Sequence, residues 1–401
     1  MVAILALAVA CDSSTSPKDQ TPQISAATAF SVSTFNACIL ATTGQTSCWG
    51  SNDFGSLGAG DSHTLETTPV AVAGPAFVAI STSDFSSCGL TAEGRVWCWG
   101  ELPAPGPNRT PPTSTIPVEQ PAGPASFVAI STGLRYVCGL DAAGVAYCWG
   151  ANLDGVLGVG DTITRTSPTL VAGDLRFKSI GASIVDTCGL TTAGVAYCWG
   201  ENSDGSLGVG STGGRAVLSP TPVRGNLVFA SLGVGADVTC GVQANGDGYC
   251  WGINTASEAG SGLSTPTSYI TPTLVAGGVH FKSITPGHVD SIDQSTCGIA
   301  TDNTAYCWGL NDKSQLGTFV ESQCFYLPAT ATGHPGCDLG PAVIAGLGPV
   351  EAIEPGFDHS CALTVTKQVM CWGNNTRGQL GDGTLTPRPT PAVVNGLTGL
   401  P

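Results

Sequence analysis

The tripeptide Cys-Trp-Gly occurs seven times, beginning at Cys48, Cys98, Cys148, Cys198, Cys250, Cys307 and Cys371. A second cysteine lies ten residues before each: Cys38, Cys88, Cys138, Cys188, Cys240, Cys297 and Cys361. Chance does not supply seven such pairs without an exception. The chain is therefore a repeat protein, with 50 to 64 residues between successive copies.

Each C-x9-C segment reads as a β-hairpin. Setting Cys138 opposite Cys148 puts Leu140 opposite Ala146 and leaves Ala142-Ala143-Gly144 as the turn. A three-residue hairpin loop wants a left-handed last residue, usually glycine. That slot holds Gly44, Gly94, Gly144, Gly194, Gly246, Asn303 and Lys367. The turn and the cysteines thus give one register, in which the paired cysteines are opposed and within disulfide reach. Each bridge would close an eleven-residue loop, contributing roughly 2–3 kcal/mol on a chain-entropy argument.

Two more strands complete a unit. An apolar one precedes the hairpin, as in FVAIS at 77–81 and 127–131 and FKSI at 177–180. A proline-led one follows, as in TPVAVAG at 68–74 and SPTLVAG at 167–173. Four short strands per unit is the signature of a propeller blade, and the chain is expected to be an all-β, seven-bladed propeller of four-stranded antiparallel blades. Composition agrees: only 11% of residues are charged, glycine and proline number 55 and 27, and helix-favouring residues are scarce. The last proline-led strand, at 391–395, is expected to slot beside the N-terminal strand and close the ring. The propeller is assigned to residues 30–401.

The units read G-x-x-x-S/T-C-x-L, then G-x-x-x-C-W-G-x-N-x-x-G-x-L-G-x-G, then P-x-x-V. This resembles the regulator of chromosome condensation repeat family. The seventh copy is nearest to it, with GFDHSCALT at 356–364 and WGNNTRGQLGDG at 372–383. The resemblance implies a seven-bladed propeller. The family's namesake is a nucleotide exchange factor for a nuclear small GTPase, and bacterial relatives include a secreted β-lactamase inhibitory protein that binds with loops on one face. None of the exchange-factor contact residues is matched here. The cysteine pairs are a departure from the family, and copies two and five (ELPAPGPNRTPP at 101–112, INTASEAGSG at 253–262) lack the N-x-x-G-x-L-G turn. His288 and His359 precede hairpin strands, and His359 falls on the family's repeat histidine, where a structural hydrogen bond is expected.

Seventeen cysteines without a C-x-x-C point to an oxidising compartment. Beyond the hairpins only Cys324 and Cys337, expected to bridge within the long insertion 310–341, and Cys11 remain. Residues 1–10 are apolar but shorter than the ~20 residues needed to span a bilayer. No Lys or Arg precedes the apolar run. Residues 1–11 read as a signal peptide ending in a lipoprotein cleavage box, with Cys11 lipidated and 12–29 a polar tether. The expected location is extracytoplasmic, at the cell envelope or surface.

A net charge of −15 argues against nucleic acid and leaves basic proteins, cations or neutral ligands. No nucleophile elbow, phosphate loop or His-Glu-x-x-His motif is present, and no cofactor or metal centre is expected. The N-x-D-G at 152–155 and 202–205 lacks the glutamate of a calcium loop and reads as a structural turn.

Strand alternation puts the glycine turns on one face and almost all the length variation, at 101–117, 253–271 and 310–341, on the other. That second face gathers Asp84, Arg135, Asp186, Asp237, Asp290 and Asp358 around the mouth of the ring, and these are the candidate binding residues. The expected function is a lipid-anchored, monomeric scaffold recognising a protein or glycan there. The alternatives are a hydrolase or lyase using the Asp-lined mouth, which a buried carboxylate pair would favour, and an exchange-factor-like regulator by family analogy. An aromatic or apolar patch on the loops would favour the scaffold.

Overall fold

The computed structural model describes residues 27–397 except 62, 104–110, 213–215, 264, 266, 288–293 and 319–335. These residues form seven four-stranded antiparallel sheets, each from four consecutive strands, as the repeat requires. Blade 1 comprises Ala27–Val32, Asn36–Ala41, Thr46–Ser51 and Leu65–Ala71. Blade 7 comprises Val350–Pro355, His359–Thr364, Val369–Gly373 and Arg388–Val393. The first strands of neighbouring blades touch one another and ring the axis, while the fourth strands face outward. Each of the seven outer strands carries a proline (69, 117, 168, 220, 272, 341 and 391), which blunts its exposed edge against pairing with another chain.

All seven hairpins have the expected register, and all seven C-x9-C pairs are disulfides with Cα atoms 4.1 Å apart. The reason lies in the ladder. In blade 1, the Ala41 amide donates to the Gln45 carbonyl and the Ser51 amide to that of Phe35, both at 2.9 Å. Hydrogen-bonded positions alternate with non-bonded ones, so Cys38 and Cys48 form a non-bonded pair, where Cα atoms come closest. All seven turn-slot residues, Asn303 and Lys367 included, have φ between 67° and 93°. Cys337 is buried and disulfide-bonded, and its expected partner Cys324 lies outside the described residues.

The glycine of Cys-Trp-Gly is required by a close approach. Its φ is positive in every copy, and a Cβ on Gly252 would sit 2.0 Å from the Asp237 carbonyl oxygen. The seven tryptophans of these tripeptides are almost wholly buried between blades. Five donate an indole N–H to the loop of the preceding blade, as Trp99 does to the Ser56 carbonyl (2.9 Å) and Trp199 to Val156 (2.8 Å). That loop is organised by its asparagine. Asn52 Oδ1 accepts the Leu57 amide (3.1 Å), while Nδ2 donates to the His63 carbonyl (2.8 Å). The same pattern recurs at Asn152, Asn202, Asn254, Asn311 and Asn375. The N-x-x-G-x-L-G segment is therefore a lid over the next blade's tryptophan.

Two expectations are corrected. Copy five does contain this turn: Ser257 takes the glycine slot at φ 69°, Ala259 replaces leucine, and the Ala259 amide reaches Asn254 Oδ1 at 3.2 Å. Sequence reading missed it because serine at positive φ is uncommon. The ring also closes without strand exchange. Arg388–Val393 pairs with Val369–Gly373, and Ala27–Val32 with Asn36–Ala41. Residues 27–32 supply blade 1 with its own first strand, so no vacant edge remains. Closure is an ordinary interblade joint: Trp49 donates to the Gln379 carbonyl (3.0 Å), and Phe30, Ile39 and Trp49 pack with Leu363, Val369 and Leu380.

Candidate functional site

The inner strands are stitched into a belt. At the position facing the first hairpin cysteine, Ser31 Oγ accepts the Thr82 amide (3.1 Å), Ser81 that of Thr132 (3.0 Å) and Ser131 that of Ala182 (2.8 Å). At the closing seam a carboxylate takes this role, with Glu354 Oε2 accepting the Val32 amide at 2.7 Å. Burial pushes the Glu354 carboxyl up to about 7, opposed by that amide. Gly181 and Gly233 occupy the same position in blades 4 and 5, where a Cβ would run into the next blade, at Val234 and at the Ile284 carbonyl oxygen respectively.

Among the described residues, the candidate charged side chains of the loop face are engaged locally. Asp84 accepts the Thr34 hydroxyl of blade 1. Arg135, at φ 63°, grips the buried Glu101 through Nε (2.6 Å) and Nη2 (3.3 Å). Asp237 accepts from Gln294 Nε2 at 3.3 Å. Asp358 is buried and accepts from Asn374 (2.5 Å) and Gln379 (3.1 Å). Burial alone would raise its carboxyl, but those amides and the neighbouring His359 outweigh burial and hold it low. His359 is fully buried with Nδ1 3.8 Å from Asp358. Neither ring nitrogen makes a hydrogen bond among the described residues, which differs from the bond expected of it. Asp290 lies outside the described residues.

Asp186 is fully buried, and burial pushes its carboxyl up to about 8; the Asp237 and Glu201 charges add to this, and the Ser183 and Ser206 hydroxyls pull against it. A group raised in the folded state supports stability below its unfolded pKa and withdraws that support as pH rises through the folded value. Blade 1 solves the same corner with an amide: Asn36 accepts from Ser33 Oγ (2.9 Å) and donates to Ser56 Oγ (3.1 Å). Asp186→Asn is therefore expected to leave stability unchanged near pH 4 and raise it by about 2–4 kcal/mol at pH 9. Urea midpoints across that range measure the difference, and a variant tracking wild type at every pH would refute the account.

What sequence reasoning did not single out is an aromatic cluster on the same face. Phe54 and Phe85 meet edge to face at 5.2 Å, and Phe35 and Phe357 at 5.9 Å. Arg377 lies 4.2 Å from the centre of the Phe35 ring while pairing with Asp53 at 2.8 Å. Phe54 is 50% exposed and held at φ 59°, an uncommon conformation for a bulky residue. The available signal was phenylalanine recurring at the first inner turn, in TFN, DFS and GFD. In the loop of blade 1, three side chains of metal-ligating type, Asp61, His63 and Glu66, also converge. Two open clefts of about 410 Å³ lie on the other face, beside the turns at Gly44 and Gly94.

Seven consecutive four-stranded blades, closed blade against blade, define a seven-bladed β-propeller. More particularly, two of its segments, residues 77–101 and 350–379, match the model of the regulator of chromosome condensation (RCC1) repeat. Protein pim1 of Schizosaccharomyces pombe is 29% identical over 175 residues, a match spanning 41% of this chain and 31% of pim1. Among solved structures, Prp20p of Saccharomyces cerevisiae, described with its binding to Gsp1p and histones, superposes with a TM-score of 0.73 at 17% identity. That match covers 87% of this chain and 85% of Prp20p. The ectodomain of the Physcomitrella patens receptor kinase CR4 gives 0.53 at 21% identity, covering 87% and 74%. At these identities the likeness is one of fold.

Proposed function

We propose that this chain is an extracytoplasmic, lipid-anchored scaffold that recognises a protein through its loop face. One observation carries the reading: two aromatic pairs on this face, the exposed Phe54 against Phe85 and Phe35 against Phe357, the last three half-buried, set among acidic loops. Aromatic rings with a polar rim are what protein interfaces concentrate. A net charge of −15 favours a basic partner surface. Protein binding by Prp20p is consistent with this use of the fold. Seven disulfides support an oxidising location, and the apolar residues 1–10 before Cys11 support the anchor. The hydrolase alternative needs two carboxylates sharing a substrate. Asp186 is fully buried in blade 4, and Asp358 is buried in its own amide network across the ring. A glycan ligand or an exchange-factor role has no comparable observation behind it.

The test is capture from envelope extract with wild type, Phe54→Arg/Phe85→Arg, and Val228→Arg, whose side chain is exposed on the opposite face. The aromatic variant is expected to lose a stoichiometric partner at least tenfold, with unfolding midpoint unchanged, while Val228→Arg retains it. Equal capture by all three would overturn the reading. Palmitate labelling of wild type but not Cys11→Ser is the expected result for the anchor.

A further inference from the structure

We infer that the loop of blade 1 holds a divalent transition-metal site, with Asp61, His63 and Glu66 as ligands and zinc as the best-fitting ion. Its donor atoms lie within 4.8 Å of one another. His63 Nδ1 is 3.1 Å from Asp61 Oδ2 and 3.1 Å from Glu66 Oε1. Ligand atoms around tetrahedral zinc, at bond lengths of about 2.0–2.1 Å, are about 3.3 Å apart, so little movement admits the ion.

Comparison with blades 3 and 7 sets this corner apart from theirs. Glu66 faces Gly50 of the Cys-Trp-Gly strand, and the residues facing the matching glycines in blades 3 and 7 are Arg165 and Arg388. Those arginines neutralise a loop carboxylate: Arg165 pairs with Asp161 at 2.7 Å, and Arg388 with Asp382 at 3.0 Å. Blade 1 keeps the loop carboxylate as Asp61 and replaces the arginine with a second carboxylate. Both acids then converge on one imidazole nitrogen, which carries at most one proton. One divalent cation can take a lone pair from all three side chains at once.

The ligands are also held in advance. The loop-organising Asn52 donates Nδ2 both to Asp61 Oδ1 (3.2 Å) and to the His63 carbonyl (2.8 Å). This leaves Asp61 Oδ2 turned to the imidazole. Asp61 and Glu66 are 21% and 23% exposed and His63 is 58% exposed, so an ion can enter and a water can complete its shell. One imidazole with two carboxylates selects a borderline ion such as zinc over calcium or magnesium, which prefer all-oxygen sites.

The experiment is calorimetric titration of the full oxidised protein, stripped with chelator, with zinc chloride alone. Wild type is expected to bind one equivalent that His63→Gln and Glu66→Arg each weaken at least tenfold. Glu66→Arg rebuilds the pairing of blades 3 and 7, so it is expected to keep the wild-type unfolding midpoint without metal and to lose the upward shift that zinc gives wild type. Absence of binding by wild type at millimolar zinc, or equal binding by wild type and both variants, overturns the site.

Discussion

Complete reduction of the hairpin disulfides is expected to unfold the propeller at 37 °C. Each closed loop spans a sequence separation of 10 and restrains the unfolded chain by roughly 2–3 kcal/mol. Across seven loops the nominal loss is roughly 15–20 kcal/mol, more than the roughly 5–15 kcal/mol of net stability a domain usually has. Near-ultraviolet circular dichroism before and after reduction, with thiols counted to establish completeness, measures this. A fully reduced protein that keeps its spectrum and its melting temperature within about 5 °C would show that burial between blades holds the ring unaided.

The second large effect is Trp199→Ala, expected to cost about 4–6 kcal/mol, combining a large cavity with a lost hydrogen bond. Trp199 is fully buried, and its N–H reaches the Val156 carbonyl at 2.8 Å. Trp149 provides an internal control, since its indole nitrogen has no acceptor among the described residues. The preceding copy is the one that lacks the N-x-x-G-x-L-G turn. Trp199→Phe is thus expected to cost about 1 kcal/mol more than Trp149→Phe in urea unfolding. Equal costs would mean that the loop carbonyl adds nothing beyond packing.

The fold was legible because each blade states its register twice. The cysteines and the left-handed turn residue constrain one hairpin independently, and both constraints are local in sequence. Closure was less legible. The stretch at 27–32 carries no proline or cysteine marker, and its role as blade 1's own first strand emerges only from pairing with Asn36–Ala41. The candidate site was readable only as a face that carries the loops, since alternation alone assigns them to one side. It was not legible at the level of residues. Asp84, Asp186, Asp237 and Asp358 look alike in sequence, yet their partners make them a surface acceptor, a buried acid, an amide acceptor and a low-pKa carboxylate. The aromatic cluster draws on blades 1, 2 and 7, residues some 300 positions apart that only the closed circle brings together. The Asp61, His63 and Glu66 group hides in a D-x-H-x-x-E spacing that a strand start happens to fold onto itself.

Each of the seven hairpin bridges stays within its own blade, and the peptide chain links each wedge only to its neighbours in sequence, so at the seam between the last wedge and the first neither a hairpin disulfide nor the backbone crosses. A pull transmitted through the residues before Ala27 would therefore meet only the contacts of the first and last wedges, Trp49 on Gln379 and Val32 on Glu354 among them. Under load the molecule would part there like a clasp, each wedge leaving whole and still stapled. Circular rearrangements of the gene that move this clasp to another wedge boundary would leave every staple intact.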